Sequence, residues 1–280
     1  MKAIILNLSA WIMLPIMDGF AKHLSLTLPV LQITWSRYFF TVAIVLPIML
    51  FFFRKNFIWT EQPKLQLIRG LLLFCANILF FYSISILSLA KALTLAFIAP
   101  LIVTALSPFL LGEKVGLRRW MAVIIGFIGS LIVIRPGFVE INLASFAALG
   151  TGVLYAFYLI VTRKLHNSDH PLLTLLLTGT VGAIIGSLIV PSVWVQPSIN
   201  EWYMMFAIGF FASIGHLFLI LSLRYADASK LAPFGYFEIV TNIIIGYFYF
   251  NHLPDLFHFT GLLIIISSGI YIFRREAIKR

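Results

Sequence analysis

The sequence predicts an all-α integral membrane protein of ten transmembrane helices arranged as two inverted five-helix repeats. Three observations predict it. Apolar stretches of about 20 residues, each long enough to cross a bilayer, fill nearly the whole 280-residue chain. Basic residues gather at alternate ends of those stretches. The two halves also resemble one another at an offset of about 140 residues.

The first span is placed at Ala3 to Ala21; Lys2 ahead of it imitates a signal peptide, but no small-residue cleavage site is evident and more spans follow, so it reads as a helix. The others fall at Leu31 to Phe53, Ile68 to Leu87, Ala92 to Leu111, Trp120 to Ile134, Ile141 to Val161, Leu172 to Val190, Trp202 to Leu223, Leu231 to Phe250 and Phe257 to Phe273. Proline and glycine inside them do not argue against helix in a membrane, and the alternation that strands require is absent. Hydrophobic residues make up 61% and charged residues 11%, with a mean hydropathy of +1.02. No soluble fold hides that much apolar surface. The short connectors leave no room for a soluble catalytic or nucleic-acid-binding domain, so residues 1–280 read as one membrane domain. A single cysteine, Cys75, excludes an internal disulfide and is expected to pack as a small hydrophobe.

The net charge of +10 is explained by orientation. With the N-terminus inside, the cytoplasmic ends hold Lys2, Arg54, Lys55, Lys64, Arg69, Lys114, Arg118, Arg119, Arg163, Lys164, Arg224, Lys230, Arg274, Arg275, Lys279 and Arg280. The opposite ends hold only Lys22, Lys91 and Arg135. This puts both termini in the cytoplasm and leaves Arg37 as the one basic residue well within a span. The repeats divide at 1–138 and 139–280: Ala90-Lys91-Ala92 matches Ser229-Lys230-Leu231, Lys22 and Pro29 echo Arg163 and Pro171, and Gly129 to Arg135 echoes Gly269 to Arg274. Five spans are an odd number, so the second half enters from the other side. Inverted halves that rock about a central site belong mostly to transporters.

The ten-span layout, Ala99-Pro100 in the fourth span, Leu111-Gly112-Glu113-Lys114 closing it, and Gly126 with Gly129 in the fifth give a chain that resembles the EamA branch of the drug/metabolite transporter superfamily over essentially its full length. In that family the Gly-Glu pair marks the junction of the fourth and fifth helices, so Glu113 carries over as a marker. The second half departs from it, reading Phe250-Asn251-His252. The resemblance implies a bacterial inner-membrane transporter of amino acids, nucleoside-like compounds, vitamins such as riboflavin, or S-adenosylmethionine, with nucleotide-sugar carriers as more distant kin.

Polar groups inside spans are the candidate site. Glu238, with Thr241 and Asn242 beside it, either faces a wet cavity, where it takes a proton or a substrate amine, or pairs with His216. Arg37 either snorkels to the interface or holds an anionic group of the substrate. Asp18 stands one turn before Lys22, close enough for an i,i+4 ion pair, although Asn7, Trp11 and Asp18 share a face fit to line a pore. Thr151, Tyr155, Tyr158 and Thr162 form a polar-aromatic stripe that, with Asn77 and Tyr82, suits a flat amphipathic solute. Lys91 and Lys230 are gates or interfacial anchors. Small residues four apart, Gly126 with Ser130, Gly182 with Gly186 and Gly209 with Ser213, read as packing seams.

His170, His252 and His258 form no metal-ligand spacing, and no Gly-rich phosphate loop is present, so no metal, cofactor or nucleotide hydrolysis is expected. The expected partners are a small-molecule substrate, protons and membrane lipids, without nucleic acid. The rival readings, a lipid-acting membrane enzyme and a non-transporting assembly subunit, lack the clustered acid/base residues of the first and predict, for the second, that Glu238 and Arg37 tolerate apolar replacement.

Overall fold

The computed structural model describes residues 1–52, 60–87, 89–134, 142–250, 256–257, 259–261, 263–267 and 270. Arg54, Lys55, Arg135, Asn251, His252, His258, Gly269 and the basic residues from Arg274 onward lie outside them, as does the side chain of Lys91. The described residues form helices and the segments that connect them, with no strand among them. Helices α1 (Lys2–Leu24), α2 (Val30–Phe52), α3 (Pro63–Ile86), α4 (Leu89–Ala96), α5 (Ile98–Leu111) and α6 (Leu117–Ile134) come first. Then follow α7 (Leu143–Lys164), α8 (Pro171–Ile189), α9 (Ile199–Tyr225), α10 (Ala228–Leu231) and α11 (Phe237–Phe250), with a 3-10 turn over Ala232–Tyr236 between the last two. Seven segments are long and apolar enough to cross a membrane: those at α1, α2, α3, α7, α8 and α9, and the composite segment Ala228–Tyr249.

Two stretches expected as continuous spans are broken instead. The fourth divides at Phe97 into α4 and α5, and the ninth into α10, the 3-10 turn and α11. Proline is the local reason. Pro100 stands in the first turn of α5 and Pro233 in the 3-10 turn, and neither has an N–H to return to the carbonyl four residues back. Gly152 of α7 completes the first break, because a Cβ there would stand 2.6 Å from the oxygen of Ala96.

Helix α1 packs along α9, α2 against α8 and α9, and α3 against α7 and α8. The small-residue seams make these approaches close. A side chain at Gly182 would overlap the ring of Tyr38, one at Gly209 the side chain of Phe40, and one at Gly126 the ring of Tyr236. Cys75 is exposed on the outer face of α3 rather than packed inside.

Helix α5 ends at Gly112, which takes the left-handed conformation at φ 66° that glycine adopts without a Cβ penalty. The turn delivers Glu113 to the N-terminus of α10. Its carboxylate accepts from the N–H of Ala228 at 2.8 Å, the N–H of Ser229 at 3.0 Å and the Ser229 hydroxyl at 2.6 Å. Asp227, the residue that precedes α10, makes no capping bond. Its carboxylate lies 2.9 Å from Arg163 Nη2 and 3.6 Å from Arg119 Nη2, while Arg163 Nη1 donates to the Leu223 carbonyl at 2.8 Å. At one end of the bundle a knot of charge thus joins the α5–α6 connection, α7 and α10. Beside it, His166 is held below the ordinary imidazole range by desolvation and by the charge of Arg163.

Candidate functional site

A cavity of about 110 Å³ lies among α1, α3, α4, α5, α7, α9, α10 and α11. Both broken stretches wall it: Leu93, Phe97 and Pro100 on one side, Leu231, Gly235 and Glu238 on the other. Its polar lining consists of Asn7, Asp18, Asn77, Thr151, Tyr155, His216 and Glu238, with Trp11, Phe80 and Phe97 as aromatic surface.

Helix α1 presents Asn7, Trp11, Leu14 and Asp18 at helical spacing toward this space. Trp11 Nε1 donates to Asn7 Oδ1 at 2.8 Å, and Asn7 Nδ2 donates to Ser222 Oγ at 3.3 Å, so the front of the helix is fixed. Asp18 is 3% exposed, and its Oδ1 has no hydrogen-bond partner among the described residues. The expected ion pair with Lys22 does not form. Lys22 turns to the end of α3, where Nζ donates to the carbonyls of Ile84 and Leu87, acceptors that every helix C-terminus leaves free.

Glu238, 8% exposed, stands in the first turn of α11. It does not pair with His216, because both ring nitrogens of that histidine are engaged elsewhere. Arg37 Nη2 lies 2.6 Å from His216 Nε2, and the Tyr158 hydroxyl lies 3.0 Å from Nδ1. Arginine only donates, so Nε2 accepts and Nδ1 carries the ring proton. That leaves His216 no free nitrogen for proton exchange, although its edge still touches the cavity.

Arg37 is 2% exposed and does not snorkel. Its guanidinium lies over the Tyr38 ring at 4.6 Å, Nε approaches Met17 Sδ at 3.4 Å, and it is not part of the cavity lining. Tyr158 is likewise behind the wall. Its hydroxyl accepts from Arg69 Nη2 at 2.8 Å. Arg69, which the charge pattern assigns to a helix end, is fully buried. Nε donates to Thr162 Oγ1 at 2.8 Å, and Nη1 to the Thr174 carbonyl at 3.0 Å and to the Thr178 hydroxyl. The polar stripe on α7 therefore serves two purposes. Thr151 and Tyr155 line the cavity, while Tyr158 and Thr162 hold a buried guanidinium.

Asn77 lines the cavity and donates to the Tyr38 hydroxyl at 2.8 Å. Tyr82 packs against the core, Asn242 donates to the Glu238 carbonyl at 2.9 Å, and Lys230 lies in α10 next to Ser229; none of the three lines the cavity. Among the described residues no group of three metal-ligating side chains occurs.

A multi-pass membrane protein with a polar-lined chamber between broken helices is the class these features define. The EamA-like transporter family matches the chain over residues 1–135 and again over 142–274, and the chain belongs to that family. It is 28% identical over 276 residues to the S-adenosylmethionine uptake transporter of Rickettsia prowazekii (strain Madrid E), covering 97% of this chain and 94% of that one. Against the riboflavin transporter of Vibrio cholerae it is 26% identical over 279 residues, with 97% and 93% covered. The pseudopaline exporter of Pseudomonas aeruginosa is 24% identical over 269 residues, with 93% and 92% covered. A solved crystal structure shares the fold at a TM-score of 0.77 and 18% identity, over 95% of this chain and 94% of that one. Family and relatives are transporters of small molecules rather than enzymes.

Proposed function

We propose that this chain is a secondary transporter that moves a small amphipathic metabolite across a bacterial plasma membrane by alternating access. Ten helices in two inverted repeats, 1–138 and 139–280, carry it, with both termini cytoplasmic. The observation behind this reading is the cavity itself, walled by elements of both halves and by two interrupted helices, the arrangement in which a site is opened first to one face and then to the other. The family's separate match to each half supports the duplication. At about 110 Å³ the cavity is smaller than the ~300 Å³ at which metabolite-sized pockets begin, so cargo binding requires its walls to part. The breaks at Phe97 and in Ala232–Tyr236 are where they do so. Substrate contacts come from Asn77, Tyr155 and Glu238, and proton exchange from Glu238 with Asp18.

The test is purified protein in liposomes, offered amino acids, riboflavin, nucleosides and S-adenosylmethionine with and without an imposed pH gradient. Specific flux of one class is expected, with a pH dependence altered in Glu238→Gln. Absence of flux for every cargo would refute transport, and an unchanged pH profile would remove Glu238 from proton handling.

A further inference from the structure

Four fully chargeable side chains are buried in the middle of this molecule, and they are sorted by sign. Asp18 and Glu238 line the cavity, whereas Arg37 and Arg69 do not. The arginines are also occupied. Arg69 uses all three of its nitrogens on Thr162, Thr174, Thr178 and Tyr158, and Arg37 is covered by His216 and Met17. Neither guanidinium is among the groups that line the cavity. The cavity wall instead keeps unmatched oxygens: Asp18 Oδ1 and the Tyr155 hydroxyl are buried without a partner, and the Glu238 carboxylate receives no hydrogen bond among the described residues.

Carboxylates only accept when ionised, so the complement of this wall is a donor-bearing or positively charged group. Asp18 and Glu238 face the same cavity, and a positively charged group placed between two carboxylates is favoured by both. The neighbouring surface is aromatic. Trp11 and Tyr155 meet edge to face at 6.3 Å, a corner that takes a flat ring and whose faces favour adjacent positive charge.

Resting on the transport reading for the cavity's role, we infer that the cavity selects organic cations that carry a flat ring, with Asp18 and Glu238 taking the charge and Trp11 and Tyr155 the ring. Selection of this kind is an equilibrium property and is measured without flux. Purified protein in lipid nanodiscs is titrated with matched pairs that differ in charge and little else: 1-methyladenosine against its neutral isomer N6-methyladenosine, and 1-methylnicotinamide against nicotinamide. The cation of each pair is expected to bind at least about tenfold more tightly, a difference of about 1.4 kcal/mol. Glu238→Gln and Asp18→Asn each shrink that ratio toward one, while Glu238→Asp, which keeps the charge, retains it. Equal affinity within both pairs, no binding by either cation, or a ratio that survives both neutralising substitutions overturns the inference. Charge preference without flux would leave this site standing and remove transport; flux of a neutral solute without charge preference would do the reverse.

Discussion

Glu113 caps a helix that is not its own, and removing it should loosen one end of the molecule selectively. Glu113→Ala strips the acceptor from the N–H groups of Ala228 and Ser229 and from the Ser229 hydroxyl. A hydrogen bond to a charged group contributes about 1.5–3 kcal/mol, and the end of the bundle admits water to compensate part of it, so about 1 kcal/mol per donor is a fair allowance. Three donors give about 3 kcal/mol, or a shift on the order of 100-fold toward the conformation in which this end has parted. The assay places a cysteine at Ala228, which is 2% exposed and lines the cavity, in a Cys75→Ser background, and follows maleimide modification in nanodiscs. When opening is fast and reversible, the modification rate follows the open population. Glu113→Ala should raise it about 100-fold. A rate within about threefold of the parent would show that Glu113 does not hold this end closed.

Gly182→Ala drives a methyl into the Tyr38 ring; overpacking of this kind costs about 1–3 kcal/mol, so the thermal midpoint in detergent should fall, and an unchanged midpoint would mean that α2 and α8 do not pack as described. His166 titrates below its ordinary value of 6.5 because burial and Arg163 favour the neutral ring. Its contribution to stability is therefore present above that value and is lost as pH falls through the lower folded value. His166→Gln should remove a small acid-side loss of stability between pH 7 and pH 5, and parallel melting profiles for the two proteins would contradict this.

The helical class and most span limits were legible because a bilayer demands long apolar runs, and no other solvent explains this composition. The breaks were signalled by Pro100 and Pro233, yet proline is tolerated within membrane helices, so position along the chain could not decide between a kink and an interruption. Asp18 and Lys22 satisfied every local criterion for a pair. What separates them is the end of α3, whose carbonyls lie 62 and 65 residues away in sequence. In sequence Arg69 resembles an interfacial charge because it follows Lys64 near a helix start; its ligands on α7 and α8 have no local signature. Glu113 was visible only as a family marker, and its capping role required a partner 115 residues downstream.

Arg69 also constrains how the protein is made. A guanidinium carried into a bilayer on a lone helix is costly, up to about 2.5–3.5 kcal/mol at the helix centre, and the phenol that receives it here, on Tyr158, is 89 residues later in the chain. At about 5–20 residues per second that partner arrives on the order of ten seconds after Arg69 has been synthesised. Through that interval the favourable place for Arg69 is at the headgroups, and its burial is completed by Tyr158 and Thr162 of α7 and Thr174 and Thr178 of α8. The final depth of α3 is therefore set jointly with α7 and α8, and nascent chains truncated before residue 158 should hold Arg69 nearer the headgroups than the full chain does.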